Sequence, residues 1–498
     1  MTKTCKSYAK NEFFSESILL LFKLRPLFLS MRFPQYPPLA AIITILLALT
    51  TSFTTGVYAQ AEQAEVSRVL SDRSINWKNP VSRAQAVERM REIQIRELNK
   101  ARQIAKKRGK PLREKFPNGK VRELVGLDED GELLYVETKN VNAAISTGAD
   151  QLHLAPYSVD GLGLSVGVWD APDGARATHQ EFNEGGSSRV TNHETISSYD
   201  DHATHVSGTI AAYGVAGNAK GMAFQARIDS YDWTSDSTEM TDAGATAAGQ
   251  HDSKIYLSNH SYGFSYGWRY DGGWIWSGTG TDQNAYDPDF GQYSWKSAQL
   301  DGVAYNTPYY LFFWAAGNEN NDGPNNGNTA TIGGSSVTYD SSIHPPNDGD
   351  YRNGFETIGD HGVAKNLVTI GAANDAVTSG QRDPSKASIA SFSSTGPVDD
   401  GRIKPDLVAN GVSLYSPNAG GDASYQNMSG TSMASPNATG SAALLVDYYR
   451  DLAGSTAAMR SSTLKALLIH TASDIGNPGP DYTFGWGLID VKSAADHL

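Results

Sequence analysis

Cysteine is all but missing: the 498-residue sequence contains one, Cys5. That excludes an intramolecular disulfide and any zinc site built on cysteine thiolates. Basic residues are outnumbered, 41 against 54 acidic, for a formal net charge of −13. Such a balance argues against nucleic acid as the main partner. Charged residues make up 19% and hydrophobic residues 39%, which are the values of a globular chain and exclude wholesale disorder. Glycine and proline are plentiful, 49 and 21, and predict many turns and loops. The length allows roughly 2–4 domains, or fewer if one is large.

The charge is unevenly spread. Residues 60–125 hold 17 basic and 8 acidic side chains, whereas 146–498 hold 17 basic and 39 acidic. A basic front segment therefore precedes a strongly acidic body, which suggests units with different jobs. Ahead of both, Leu39–Leu49 is almost wholly apolar, Arg32 lies upstream, and small residues lead to Val57-Tyr58-Ala59. This pattern reads as a secretory signal peptide cut after Ala59, with 1–30 an over-extended start before Met31. The rival reading is a membrane anchor over Leu39–Tyr58, which the Thr and Ser residues of 50–55 weaken.

Residues 60–150 read as a removable leader. Arg83–Arg108 lacks Gly and Pro, and Val87, Met90, Leu98, Ala101 and Ala105 recur at helical spacing. Gly109-Lys110-Pro111 ends that helix, and Val121–Leu127 and Leu133–Thr138 flank an acidic turn as a β-hairpin. Three readings of the basic helix stand side by side: a solvated surface helix, a nucleic-acid contact lacking aromatics, and a basic segment docking on the acidic body.

The body, 151–498, carries four local patterns. Leu164–Trp169 is an apolar strand ending in Asp170. His202-Ala203-Thr204-His205 opens a helix behind Asp200-Asp201 as cap and first-turn acids. His202 and His205 share a helical face, but neither a Glu between them nor a third ligand supports zinc. Leu311–Ala316 is an apolar strand followed by Gly317-Asn318. Finally, Gly430-Thr431-Ser432-Met433-Ala434-Ser435-Pro436 precedes a helical run from Asn437 to about Leu452, so Ser432 sits near a helix start. Each residue alone reads as a cap or turn. Together they offer a hydroxyl, a base, an acid to orient the base, and donors for an oxyanion, which is what acyl transfer needs.

In these residues the body resembles the subtilisin-like serine peptidases, the subtilases. The order Asp170, His202, Ser432 is that of the family, and Gly430–Pro436 matches its nucleophile signature. Ala315–Asn318, Ser261-Tyr262-Gly263 and the block from Ser391 to Asp406 match further segments. Ala203 stands where the family usually has Gly, and Asp170-Ala171-Pro172-Asp173-Gly174 replaces its usual aspartate loop, which leaves Asp173 as a rival acid.

The resemblance implies an α/β fold, a three-layer sandwich with a mostly parallel central sheet, behind a small α+β prosegment. It implies a catalytic triad of Asp170, His202 and Ser432, an oxyanion donor in Asn318, and substrate contacts from Ser261, Tyr262, Gly263, Ala316 and Gly317. No cofactor is required for chemistry. Structural calcium is expected in loops such as Asp282–Asp289 and Asn318–Asn328, with no ligand or metal site assigned. The implied protein is a secreted, monomeric serine endopeptidase acting on polypeptides, made as a zymogen, with its own prosegment as inhibitor and chaperone. Maturation falls between Asn140 and Leu154. Two other readings stay open: a binding protein that keeps the fold without turnover, and a dedicated processing protease or exopeptidase. The aromatics from Tyr262 to Trp276 read either as loop packing or as the walls of apolar subsites.

Overall fold

A computed structural model describes residues 139–498 except 185 and 352–354, and before them mainly 99–115, 121–127 and 133–137. The candidate signal segment lies outside the described residues. No described helix is long and apolar enough to cross a membrane.

The chain divides into two units. The first contains the helix that runs to Lys107, where Ala101 and Ala105 pack with Leu124. Lys110 N–H donates to the Ala105 carbonyl, closing the helix end where Gly109-Lys110-Pro111 predicted it. The expected hairpin strands form over Val121–Leu127 and Leu133–Glu137, and Arg113–Lys115 adds a third.

The second unit is built on seven parallel strands: β1 (Ser165–Asp170), β2 (Val190–Asn192), β3 (Arg227–Asp232), β4 (Leu257–His260), β5 (Leu311–Ala315), β6 (Val368–Ala373) and β7 (Leu407–Asn410). Their order across the sheet is β7-β6-β5-β4-β1-β3-β2. The helices that matter below are α1 (Lys139–Thr147), α2 (Asp201–Ala211), α3 (Asp236–Ala243), α4 (Trp295–Asn306) and α5 (Thr431–Ala453).

Strand periodicity explains the layering. Successive side chains point to opposite faces, so a continuous apolar run feeds two cores. Val166, Val168, Leu311 and Phe313 join Val206 and Ile210 of α2 and Ala438 and Leu445 of α5 in one core. Trp169, Phe312 and Trp314, one residue out of phase, join Met240 of α3 and Leu300 and Val303 of α4 in the other. The result is the α/β sandwich that the sequence implies, helices on both faces of a parallel sheet.

Between β4 and β6 the structure departs from expectation. The excess length there reads as loops in the sequence, but much of it forms a second, four-stranded sheet from Trp268–Tyr270, Trp274–Trp276, Thr329–Ile332 and Ser335–Thr338. Trp268, Trp276 and Tyr339 form its own small core. Strands of three or four residues are too short for alternation to announce them.

Candidate active site

In an open parallel sheet, ligands meet the carboxyl ends of the strands where the strand order reverses. Here the chain runs from β1 outward to β2 and β3, then crosses to β4 on the other side of β1. The reversal falls between β1 and β4, which pair with Trp169 opposite His260. The next residues at that edge are Asp170 and Ser261.

Asp170 is almost fully buried, and its carboxylate accepts the Ala171 N–H at 2.8 Å. Its two oxygens lie 2.8 and 3.0 Å from His202 Nδ1. A carboxylate only accepts, so Nδ1 carries the proton and Nε2 keeps its lone pair. Asp173 of the same loop makes no such contact, which favours Asp170 as the acid. His202 stands in the first turn of α2, whose cap is the Asp200 side chain, accepting from Ala203 N–H at 2.8 Å. Burial disfavours charge on His202, but the charge and hydrogen bond of Asp170 and the nearby charge of Asp200 outweigh it. Its pKa is therefore raised above 6.5. His205, by contrast, is buried against the Leu414 carbonyl, and burial pushes its pKa down to about 4. His205 is thus a core residue and no partner of His202 in a metal site. Among the described residues, the one group with metal-ligand spacing is Asp170, Asp200 and His202 themselves.

The helix of the serine starts earlier than the sequence suggests. α5 begins at Thr431, so Ser432 lies in its first turn, where backbone N–H groups have no intrahelical acceptor. Pro436 sits inside this helix. Having no N–H, it leaves the Ser432 carbonyl without its i+4 donor. Ser261 Oγ takes that place at 3.0 Å, and Ser432 Oγ donates in return to the Ser261 carbonyl at 3.3 Å. The carboxyl end of β4 is thereby tied to the start of α5.

Asn318 is fixed in one orientation. Its Oδ1 accepts Thr431 N–H at 2.9 Å and Thr431 Oγ1 at 3.0 Å, which leaves Nδ2 as the donor turned to other partners. Gly317 before it has φ +111° and donates to Thr431 Oγ1 at 3.2 Å. A Cβ there would meet Ser394 Oγ at 2.8 Å, so the position requires glycine.

Ser261, Tyr262, Gly263, Ala316, Gly317, Asn318 and Ser432 all line one cavity of about 170 Å³. Among the residues not singled out from the sequence, Glu319 and His361 join them. Burial, with Asp322 and Asp287 nearby, pushes the Glu319 carboxyl up to about 8. His361 Nδ1 lies 2.8 Å from Asp360 and its ring stacks on Trp314. Glu319 follows Asn318 directly and was within reach of sequence reasoning, whereas Asp360-His361 belongs to no pattern. A neighbouring cavity of about 310 Å³ is walled by Trp233, Phe264 and Trp295 over a buried Asp236–Lys296 pair at 2.7 Å. The aromatic run thus splits: Tyr262, Phe264 and Tyr266 border the cleft, while Trp268 and Trp276 serve packing.

Of the loops expected to hold calcium, Asp282–Asp289 spends Asp287 on backbone: its oxygens accept Gly267 N–H at 2.7 Å and Asp289 N–H at 3.1 Å.

Fold and site define a parallel α/β protein with an oriented Asp–His pair after β1 and, bonded to Ser261 after the adjoining β4, a serine at a helix start. The profile of the subtilase family matches residues 117–487, and the chain belongs to that family. It is 37% identical over 109 residues to Serine protease AprX of Bacillus subtilis (strain 168), a match covering 20% of this chain and 24% of that protein. With PII-type proteinase of Lactococcus lactis subsp. cremoris it shares 35% over 127 residues, 22% of this chain and 6% of that protein. The matches therefore span a quarter or less of these relatives. The structure of the Clostridium perfringens CspB protease superposes with a TM-score of 0.52 at 16% identity, over 71% of this chain and 98% of that one, which shows the shared fold.

Proposed function

We propose that the protein is a serine endopeptidase working through Asp170, His202 and Ser432 and an acyl-enzyme. The observation that carries this reading is the doubly contacted His202 Nδ1, which leaves Nε2 basic, on a chain whose Asp170 and Ser261, the partner of Ser432, follow adjoining strands. As Ser432 Oγ swings from the Ser261 carbonyl and bonds to the scissile carbonyl carbon, His202 Nε2 takes its proton. Asp170 holds the ring and balances the imidazolium. Asn318 Nδ2 and the Ser432 N–H receive the oxyanion. His202 then hands its proton to the leaving amine as the C–N bond breaks. A water, deprotonated by His202, cleaves the acyl ester and restores Ser432.

Polypeptides are the proposed substrates, entering as an added strand along Ser261–Gly263. Export through residues 1–59, synthesis as a zymogen with the basic leader as inhibitor and chaperone, a monomeric enzyme and a stabilising calcium complete the reading. The contrast between the basic 60–125 and the acidic 146–498 supports leader docking. The test is labelling with a fluorophosphonate: wild type should take one equivalent at Ser432 and lose activity with it. A Ser432→Ala protein that still cleaved peptides would end the assignment, and an unlabelled, inactive wild type would favour a binding protein.

A further inference from the structure

The stretch from Val141 to Leu152 is built into the body. Val141, Ala143, Ile145, Ala149 and Leu152 are all buried, and Ala143, Ala144, Ala149 and Leu152 share a core with Ile210, Leu444 and Ile489. α1 packs on α5, the helix that carries Ser432. Its polar groups are equally committed. Asn142 Nδ2 donates to Asp375 at 2.8 Å. Ser146 Oγ accepts Ala376 N–H and its carbonyl accepts Arg382 Nε, each at 2.9 Å. Thr147 Oγ1 and Ser441 Oγ of α5 lie 2.8 Å apart, both buried. Taking this stretch away would uncover apolar core and strip Ala376 N–H, Arg382 Nε and Ser441 Oγ of these partners. Buried donors left unpaired are strongly unfavourable.

We infer that Val141–Leu152 stays in the active enzyme, so that the peptide bond hydrolysed on maturation lies no later than Asn140–Val141, the front edge of the 140–154 stretch the sequence suggests. The stretch then serves as a clasp on the rear of the nucleophile helix. This rests on the zymogen reading above. One bond is hydrolysed, water supplying the new carboxylate and amine, and the chain that begins ahead of α1 is the working enzyme.

The experiment starts from the full chain. The species that a fluorophosphonate labels at Ser432 is isolated and its N-terminus sequenced. The first residue should come no later than Val141; a labelled species starting between Asn142 and Leu154 overturns the inference. A second measurement uses Leu152→Ala and the milder Thr147→Val. A residue in a discarded segment cannot alter the melting of what remains. The labelled form should melt lower by ~4 °C or more for Leu152→Ala and by ~1–2 °C for Thr147→Val. Unchanged melting in both overturns the inference. A chain that labels without being cut ends the zymogen reading, and the placing of the cut with it. A chain that never labels ends the peptidase reading, and this inference with it.

Discussion

His202 faces two carboxylates with different duties. Asp170 touches its Nδ1; Asp200 caps its helix and adds charge from nearby. The base works only when neutral, and its pKa is raised above 6.5, so activity should climb with pH on a limb centred above 6.5. Asp200→Asn keeps a good capping residue and removes one charge. The acid limb of kcat/KM should move to lower pH while the melting temperature barely changes; an unmoved limb would remove Asp200 from the account. Asn318→Ala should lower kcat by about 10²–10³ with little change in KM, because its donor acts on the oxyanion. Glu319 gives a stability test. Its folded pKa of about 8 lies above the ordinary 4.5, so the native state binds more protons between those values. Stability therefore falls as pH rises from 4.5 to 8. Glu319→Gln should leave melting near pH 4.5 unchanged and raise it at pH 8–9. Equal melting of both proteins at high pH would contradict the shift. At this scale Asp170, His202, Asn318 and Ser432 were legible because each stands in a short local pattern. His361 was not, because its place in the cavity comes from the turn before β6 and from its stacking on Trp314.

At the scale of elements, the small residues after His205 suggested close packing in the sequence, and α2 supplies it. A Cβ on Gly208 would lie 2.4 Å from both Pro417 Cδ and Ser416 Oγ. Gly208→Ala should destabilise by about 1–3 kcal/mol, read as a lower denaturation midpoint, since a packed interface has no room to yield. Because α2 carries His202, some loss of kcat should accompany it. The strands β1 and β5 were legible as apolar runs, with bounds shifted by one residue. The start of α5 was not: proline at position 436 reads as a helix start, yet it falls inside the helix, where its missing N–H frees the Ser432 carbonyl for Ser261. A local breaker signal lost to a tertiary contact. The four-stranded insertion was also hidden, since pairing between strands so short is decided by the fold around them and not by their own pattern.

For the whole molecule, charge is the readable quantity. On the proposed zymogen reading a basic leader docks on an acidic body, so added prosegment peptide should inhibit the unlabelled mature enzyme less at 0.5 M than at 0.05 M sodium chloride. Inhibition indifferent to salt would point to apolar docking alone. The parallel sandwich was expected from the family resemblance, while the way one sheet divides two cores became visible only from which phase of each strand faces which helices. The insertion has a consequence of its own. The chain leaves the cleft after Tyr266, returns to it through β5 at Trp314–Glu319, and leaves again until Gly359; its two excursions meet in the sheet around the Trp268–Trp276–Tyr339 core. The sheet they form, with a small core of its own, is tied to the cleft lining at Tyr266, Glu319 and Gly359. Warming should therefore loosen grip before it disables chemistry, and KM should rise several degrees below the temperature at which Ser432 ceases to react with a small phosphonate.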